Sequence, residues 1–263
     1  MAASAEYGVT PHQRRITMSD LIAICCINAL ANPGNRTMTF IETTSPESAN
    51  DAVAAMYLHQ QLAWGYIPNY AKAFCHRPEV LARWGQLLAE IKRPMEERRF
   101  ELVTFVTAYH LGNSACALAH GRTLRKFFTD EQIQAIAEGR FDGILTGAEQ
   151  AMIKFARQIA IDASRVTAHQ IAALREHGCS DAEIFDIAAT SAGRAFFAKI
   201  LDALGVELDS PFLALDESFR RTLTVGRPID LSECITMPVP ASRQVGRILG
   251  QDAQKSTPCP TGS

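Results

Sequence analysis

The chain reads as an all-α protein, and three observations predict that class. Apolar residues recur at a spacing near 3.6 through most of residues 50–210. Helix-start signatures punctuate the same region: Thr146 with Glu149 and Ser180 with Glu183 each stand in capping-box register. No stretch shows sustained alternation of apolar and polar residues, and no hairpin dipeptide lies between apolar runs.

The elements follow in order. Ser45-Pro46-Glu47 is a start signal for DAVAAMYLHQQLA (51–63), and GYIP ends that helix. NYAKAF and PEVLARWGQLLAEI (78–91) continue the pattern, with Pro78 at a first-turn position, where a missing N–H does no harm. Pro94 interrupts, and MEERRFELVTFVTAYH (95–110) resumes with apolar residues at 100, 102, 103, 105, 106 and 109. A helix apolar round so much of its circumference belongs at the centre of a bundle. Gly112 then suits a C-terminal cap and Asn113 or Ser114 an N-cap, so a helix–turn–helix with a second helix over 114–127 is expected. Thr129 or Asp130 opens a helix closed by Gly139, Thr146 opens the next, Thr167 one that Gly178 ends, and Ser180 a long one. PFLALDESFRRTL (211–223) is a last candidate helix, after which prolines at 228, 238, 240, 258 and 260 favour an extended or disordered tail. The expected organisation is a leader over 1–37, a helical domain over 38–220 and a tail over 221–263.

Bulk properties exclude several classes. A formal net charge of −2 on 263 residues and the absence of a basic stripe give no footprint for nucleic acid. Seven cysteines without paired spacing, and no Cys-x-x-Cys, offer no disulfide framework, zinc knuckle or local dithiol. Reduced thiols in a cytoplasmic protein are the simpler expectation, with no metal or cofactor. Arg14-Arg15 and the apolar run LIAICCINALA (21–31) imitate a secretory leader, but 11 residues are too few to span a bilayer. An upstream extension or mis-assigned start is the expectation, with a secretory leader over 1–31 as the alternative.

Chemistry concentrates in ELVTFVTAYHLGNSACALAH (101–120). Cys116 and His120 are four residues apart, which places both on one helix face. A thiol beside an imidazole, in the first turn of a helix, has the equipment of a reactive cysteine: a base to take the proton and a dipole to favour the thiolate. Cys116 lies among Ala115, Ala117 and Ala119, so a small packing residue is the competing reading. Glu101 begins a strongly apolar run, which favours burial and a raised pKa, against the alternative of a solvated residue beside Arg98 and Arg99.

The same residues carry a resemblance. The segment resembles the alkylhydroperoxidase AhpD and carboxymuconolactone decarboxylase family, in which a glutamate precedes a Cys-x-x-Cys pair and a histidine follows four residues after the second cysteine. Glu101, Cys116 and His120 match, while Asn113 stands where the first cysteine would be. GYIPNYAKAFCHRPEVL (65–81), the 145–189 block and DALGVELD (202–209) extend the likeness, and Ala198-Lys199 replaces an asparagine-arginine pair. The resemblance implies an AhpD-like helical bundle assembled as a homo-oligomer, a trimer or hexamer, outside the membrane. It implies a peroxidatic Cys116 served by a His120–Glu101 proton relay, acting on a small-molecule hydroperoxide and dependent on an external thiol reductant. Asn113 and Tyr66 are the expected substrate-binding residues. Loss of the first cysteine leaves a second course open, a lyase or isomerase acting on a lactone-type substrate through His120 and Glu101. A catalytically silent binding or assembly protein is the third.

Overall fold

A computed structural model describes residues 38–229, and among these no strand occurs. Ten α-helices follow one another: α1 Asp51–Trp64, α2 Asn69–Ala73, α3 Pro78–Lys92, α4 Glu97–His110, α5 Ser114–Leu124, α6 Asp130–Ala137, α7 Gly147–Asp162, α8 Ala168–Glu176, α9 Asp181–Ala203 and α10 Glu217–Leu223. The expected all-α architecture is thus the observed one.

Helix α4 is the axis of the bundle. Every residue from Phe100 to Ala108 is buried, and α5, α7 and α9 pack round it. Leu102, Val103, Phe105 and Val106 of α4 join Leu118, Ile133, Ile153 and Leu174 in the main core. At 25 cal/mol per Å² of apolar area removed from water, this burial dominates the stability of the bundle. The α4 N-terminus is tied by charge. Arg98 binds Glu149 at 2.6 Å and Arg99 binds Glu183 at 3.1 Å. Those glutamates also complete the capping boxes of α7 and α9, accepting from the backbone N–H of Thr146 at 2.9 Å and of Ser180 at 2.8 Å. Two neighbouring helix starts are therefore clamped to one turn of α4.

The turn between α4 and α5 is closed by backbone bonds. Gly112 adopts φ +75°, its N–H donates to Tyr109 O at 3.1 Å, and Asn113 N–H donates to Ala108 O at 3.1 Å. This is a Schellman stop, and the left-handed residue in it favours glycine. Asn113 turns at once into the N-cap of α5.

Three boundaries differ from expectation. Helix α5 ends at Leu124 rather than near 127. The segment read as a last helix divides into a 3-10 turn, Ser210–Ala214, and α10, which Asp216 caps through the N–H groups of Ser218 and Phe219. The fold also continues past 220. Phe219 and Leu223 of α10 are fully buried, and the chain after them crosses the α4–α5 turn, where Gly226 N–H donates to Ser114 Oγ at 2.9 Å. Arg227 Nη2 donates to Asp202 O at 3.3 Å. The expected leader, the chain from 230 onward, and Cys25, Cys26, Cys234 and Cys259 lie outside the described residues.

A Cβ on Gly226 would lie 1.8 Å from the Gly112 carbonyl oxygen, so only glycine permits this crossing. Gly226→Ala is expected to lift the strap and break its bond to Ser114. Hydrogen exchange read by mass spectrometry should show faster exchange over 224–229 and unchanged protection over 100–108.

Candidate active site

The site is built where the first turn of α5 meets α4 and α9. Asn113 Oδ1 accepts from Cys116 N–H at 2.9 Å, capping the helix, while Asn113 Nδ2 donates to Asp202 Oδ1 at 2.9 Å and to Ala198 O at 3.3 Å. Both ends of the Asn113 amide are therefore committed within the fold, which gives this residue a capping and tethering role. Cys116 is 4% exposed and packs with Ala108, Phe197 and Leu201.

One turn later, His120 Nδ1 lies 2.7 Å from Glu101 Oε2. Fifteen residues of straight helix would separate Glu101 and Cys116 by roughly 22 Å. The stop at Gly112 folds α5 back along α4 and closes that distance. Lys92 Nζ, at the end of α3, reaches Glu101 Oε1 at 3.7 Å. Sequence reasoning passed over a fourth group: Arg194 of α9, whose Nη1 donates to Cys116 Sγ at 3.7 Å. Its signal was a charge inside the apolar run of residues 187–198, and charged residues seldom sit on a buried helix face without a task.

The electrostatics differ from expectation in two respects. Burial pushes the Glu101 carboxyl up, but the hydrogen bond from His120 and the charges of Lys92 and Arg194 more than offset it, so the pKa falls. Glu101 is a buried carboxylate, correcting the raised pKa expected from its apolar surroundings. Cys116 moves the other way. Burial pushes its thiol up, and the charge and hydrogen bond of Arg194 return only part of that shift. The helix dipole alone does not make a resting thiolate here. His120 lies below its ordinary 6.5, through burial and the Arg194 charge acting against Glu101. A neutral imidazole beside a carboxylate must donate Nδ1–H to it, which leaves Nε2 with a free lone pair. The resting site is thus a thiol, a neutral imidazole held in one tautomer, and a carboxylate.

Tyr66 belongs to a second cluster. Its hydroxyl is hydrogen-bonded to Asp209, whose carboxyl burial pushes up to about 6, and it feels the charge of Arg122. Asp209 Oδ1 also accepts from Asn69 N–H at 2.8 Å, so this cluster joins the start of α2 to the chain after α9. The tyrosine in the thiol's own surroundings is Tyr70, which packs against Phe197 edge-on at 5.2 Å. His110 is pushed down to about 4 by burial and by Arg157 on α7.

An apolar cavity lies beside the cluster that holds Cys116. It has a volume of about 730 Å³ and opens between α1 and α3. Tyr70, Leu81 and Trp84 line it and also pack against the cluster that holds Cys116, so they form the wall between cavity and thiol. Among the described residues no three His, Cys, Asp or Glu side chains gather as a metal ion would need. No described helix is long and apolar enough to cross a membrane.

No protein-family model and no curated protein matches this chain in sequence. Solved structures match it in fold. An uncharacterized peroxidase-related protein from Ralstonia eutropha, described as an alkylhydroperoxidase AhpD core, superposes with a TM-score of 0.60 at 20% identity, over 69% of this chain and 97% of its own. A peroxidase-related protein from Silicibacter sp. gives 0.57 at 17% identity, over 69% and 97%. The debrominase Bmp8 gives 0.57 at 14% identity, over 73% and 100%. Identities this low speak for architecture alone: the chain has the AhpD-like all-α fold.

Proposed function

We propose that the protein is a thiol-dependent peroxidase of single-cysteine type, with Cys116 as the peroxidatic residue and His120 and Glu101 as its proton relay. The observation that carries this reading is the 2.7 Å contact between His120 Nδ1 and Glu101 Oε2, one helical turn from a buried thiol.

His120 Nε2 takes the Cys116 proton. The thiolate attacks one oxygen of ROOH, an S–O bond forms and the O–O bond breaks. The departing RO⁻ receives the proton from His120 and leaves as ROH, with Cys116 left as sulfenic acid. Glu101 stabilises the imidazolium between the two transfers. Asn113 supplies no neighbouring thiol, so an external thiol condenses with the sulfenic acid, releasing water, and a second equivalent releases Cys116 and a disulfide. The free thiols of Cys75, Cys116 and Cys179 accord with a reducing compartment such as the cytoplasm.

The lyase reading rests on the same His120–Glu101 pair without the thiol, and substitution separates the two. Cys116→Ser is expected to abolish peroxide turnover, and His120→Ala to slow it by about 10²–10⁴-fold, the usual worth of a positioned base. Peroxide consumption and sulfenate trapping at Cys116 measure both. A Cys116→Ser protein that still converts a small lactone while His120→Ala does not would transfer the assignment to the lyase class, and failure of both activities would leave a binding or assembly protein.

The pH dependence follows from the same groups. His120 works as a base only when neutral and titrates below its ordinary 6.5. The rate of Cys116 oxidation should therefore hold as pH falls through 6.5 and decline only below it. In His120→Ala that acid limb should vanish, and the rate should climb with the thiolate beyond pH 9, because burial holds the thiol above its ordinary 9.0. Stopped-flow oxidation across pH 4–10 reads both limbs.

Exposed Leu58, Leu62 and Trp64 on α1, Val80 and Leu87 on α3, and Phe185 and Phe196 on α9 support the homo-oligomer in this proposal. Light scattering at micromolar concentration is expected to give a trimer or a larger multiple of 28.8 kDa, and a monomer would remove this part of the proposal.

A further inference from the structure

Arg194 is the one lysine or arginine buried among the described residues, at 5% exposure. The two other buried charges there have direct partners of opposite sign: Glu149 has Arg98, and Glu101 has Lys92, with His120 hydrogen-bonded to it. Arg194 has none. No described carboxylate lies within ion-pair distance, its Nε has no hydrogen-bond partner, and Nη1 donates to the sulfur of Cys116. Desolvating a cation without an anion is costly, and folds seldom retain one. The guanidinium is instead held by rings, 5.4 Å from the centre of Trp84 and 5.7 Å from that of Phe197. Trp84 is stacked on Phe197 at 4.2 Å and fixed by its Nε1–H bond to Gly193 O at 3.0 Å. An aromatic seat positions a guanidinium without ion-pairing it, and the Glu101 carboxylate, which feels the Arg194 charge, lies beyond ion-pair distance.

We propose that Arg194 is a further catalytic residue: its charge is balanced by the Cys116 thiolate, and it sets the pH range over which Cys116 is nucleophilic. The inference deepens the peroxidase reading and rests on Cys116 being the reacting atom. The other groups round the thiol do not supply this charge. Asp202 of α9 is acidic, Tyr70 of α2 is neutral, Lys92 of α3 and His120 of α5 engage Glu101 of α4, and Arg227 reaches Asp202. When His120 removes the proton, an anion forms 3.7 Å from a cation already in place, and no solvent has to reorganise to meet it.

The test is the pH profile of alkylation by iodoacetamide, resolved for each cysteine by mass spectrometry. Cys75 and Cys179 serve as internal references in wild type, Arg194→Gln and Arg194→Lys. The glutamine variant is expected to raise the Cys116 midpoint by about one pH unit or more, which slows its alkylation about tenfold at pH 8. The lysine variant should restore part of the loss, and the reference cysteines should not move. A folded Arg194→Gln protein with the wild-type profile overturns the proposal. A second measurement needs no variant. Anionic iodoacetate, relative to neutral iodoacetamide, should favour Cys116 over Cys75 and Cys179 by about threefold or more, because a buried cation attracts the anionic reagent; equal ratios overturn the proposal. Sulfenate trapping with hydrogen peroxide on the same samples separates the two readings. An inert Cys116 whose alkylation still depends on Arg194 sinks the peroxidase reading alone. A peroxide-reactive Cys116 indifferent to Arg194 sinks this inference alone.

Discussion

A helix buried on all sides can settle its polar groups only inside the protein, and α4 is such a helix, with Thr104 Oγ1 the one buried side-chain polar atom on it left without a hydrogen-bond partner. Phe100 to Ala108 lie in the core, so the charge of Glu101 and the hydroxyl of Thr107 have no water to turn to. Thr107 donates to Ser191 on α9 at 3.0 Å. Glu101 draws His120 from α5 and Lys92 from α3. At the solvent end of the same helix, Arg98 and Arg99 bind the glutamates that cap α7 and α9. The positions of the surrounding helices can be read as answers to the polar demands of one. The site lies where the most expensive of those demands, an ionised carboxylate, is met.

That demand also orders the proton chemistry. With Glu101 ionised, His120 is held in the tautomer that leaves Nε2 bare, and with Arg194 close by the imidazole resists protonation. The thiol keeps its proton at rest because burial outweighs the arginine's pull. Such a cysteine is guarded against casual oxidation, and in the proposed mechanism it depends on His120 for its reactivity. This arrangement differs from the low-pKa thiolate that a helix N-terminus beside a histidine leads one to expect.

Much of this was legible in the residues and some was not. Thr146 with Glu149 and Ser180 with Glu183 announce their helix starts because a capping box is a local, reciprocal pair of bonds. Gly112 and Asn113 announce the turn for the same reason. The direction of the Glu101 shift was not legible, since it depends on groups that arrive from α3, α5 and α9. Arg194 lies 78 positions beyond Cys116, and no spacing rule connects two helices so far apart. Tyr66 and Tyr70 stand four residues apart in the sequence, yet one serves Asp209 and the other packs beside the thiol, a choice made by the short α2. Gly226 owes its position to the distant Gly112, and no local pattern marks that contact.

The capping asparagine has a consequence for how such sites diverge. Asn113 is wired at both ends, to the backbone of Cys116 and to the carboxylate of Asp202. Placing a second thiol by Asn113→Cys would therefore be more than adding a sulfur. It would uncap α5 and strip Asp202 of the donor that helps keep its partly buried charge, so position 202 would have to change in step. The two positions form a coupled pair, and a cysteine at 113 would be accepted only if position 202 altered with it.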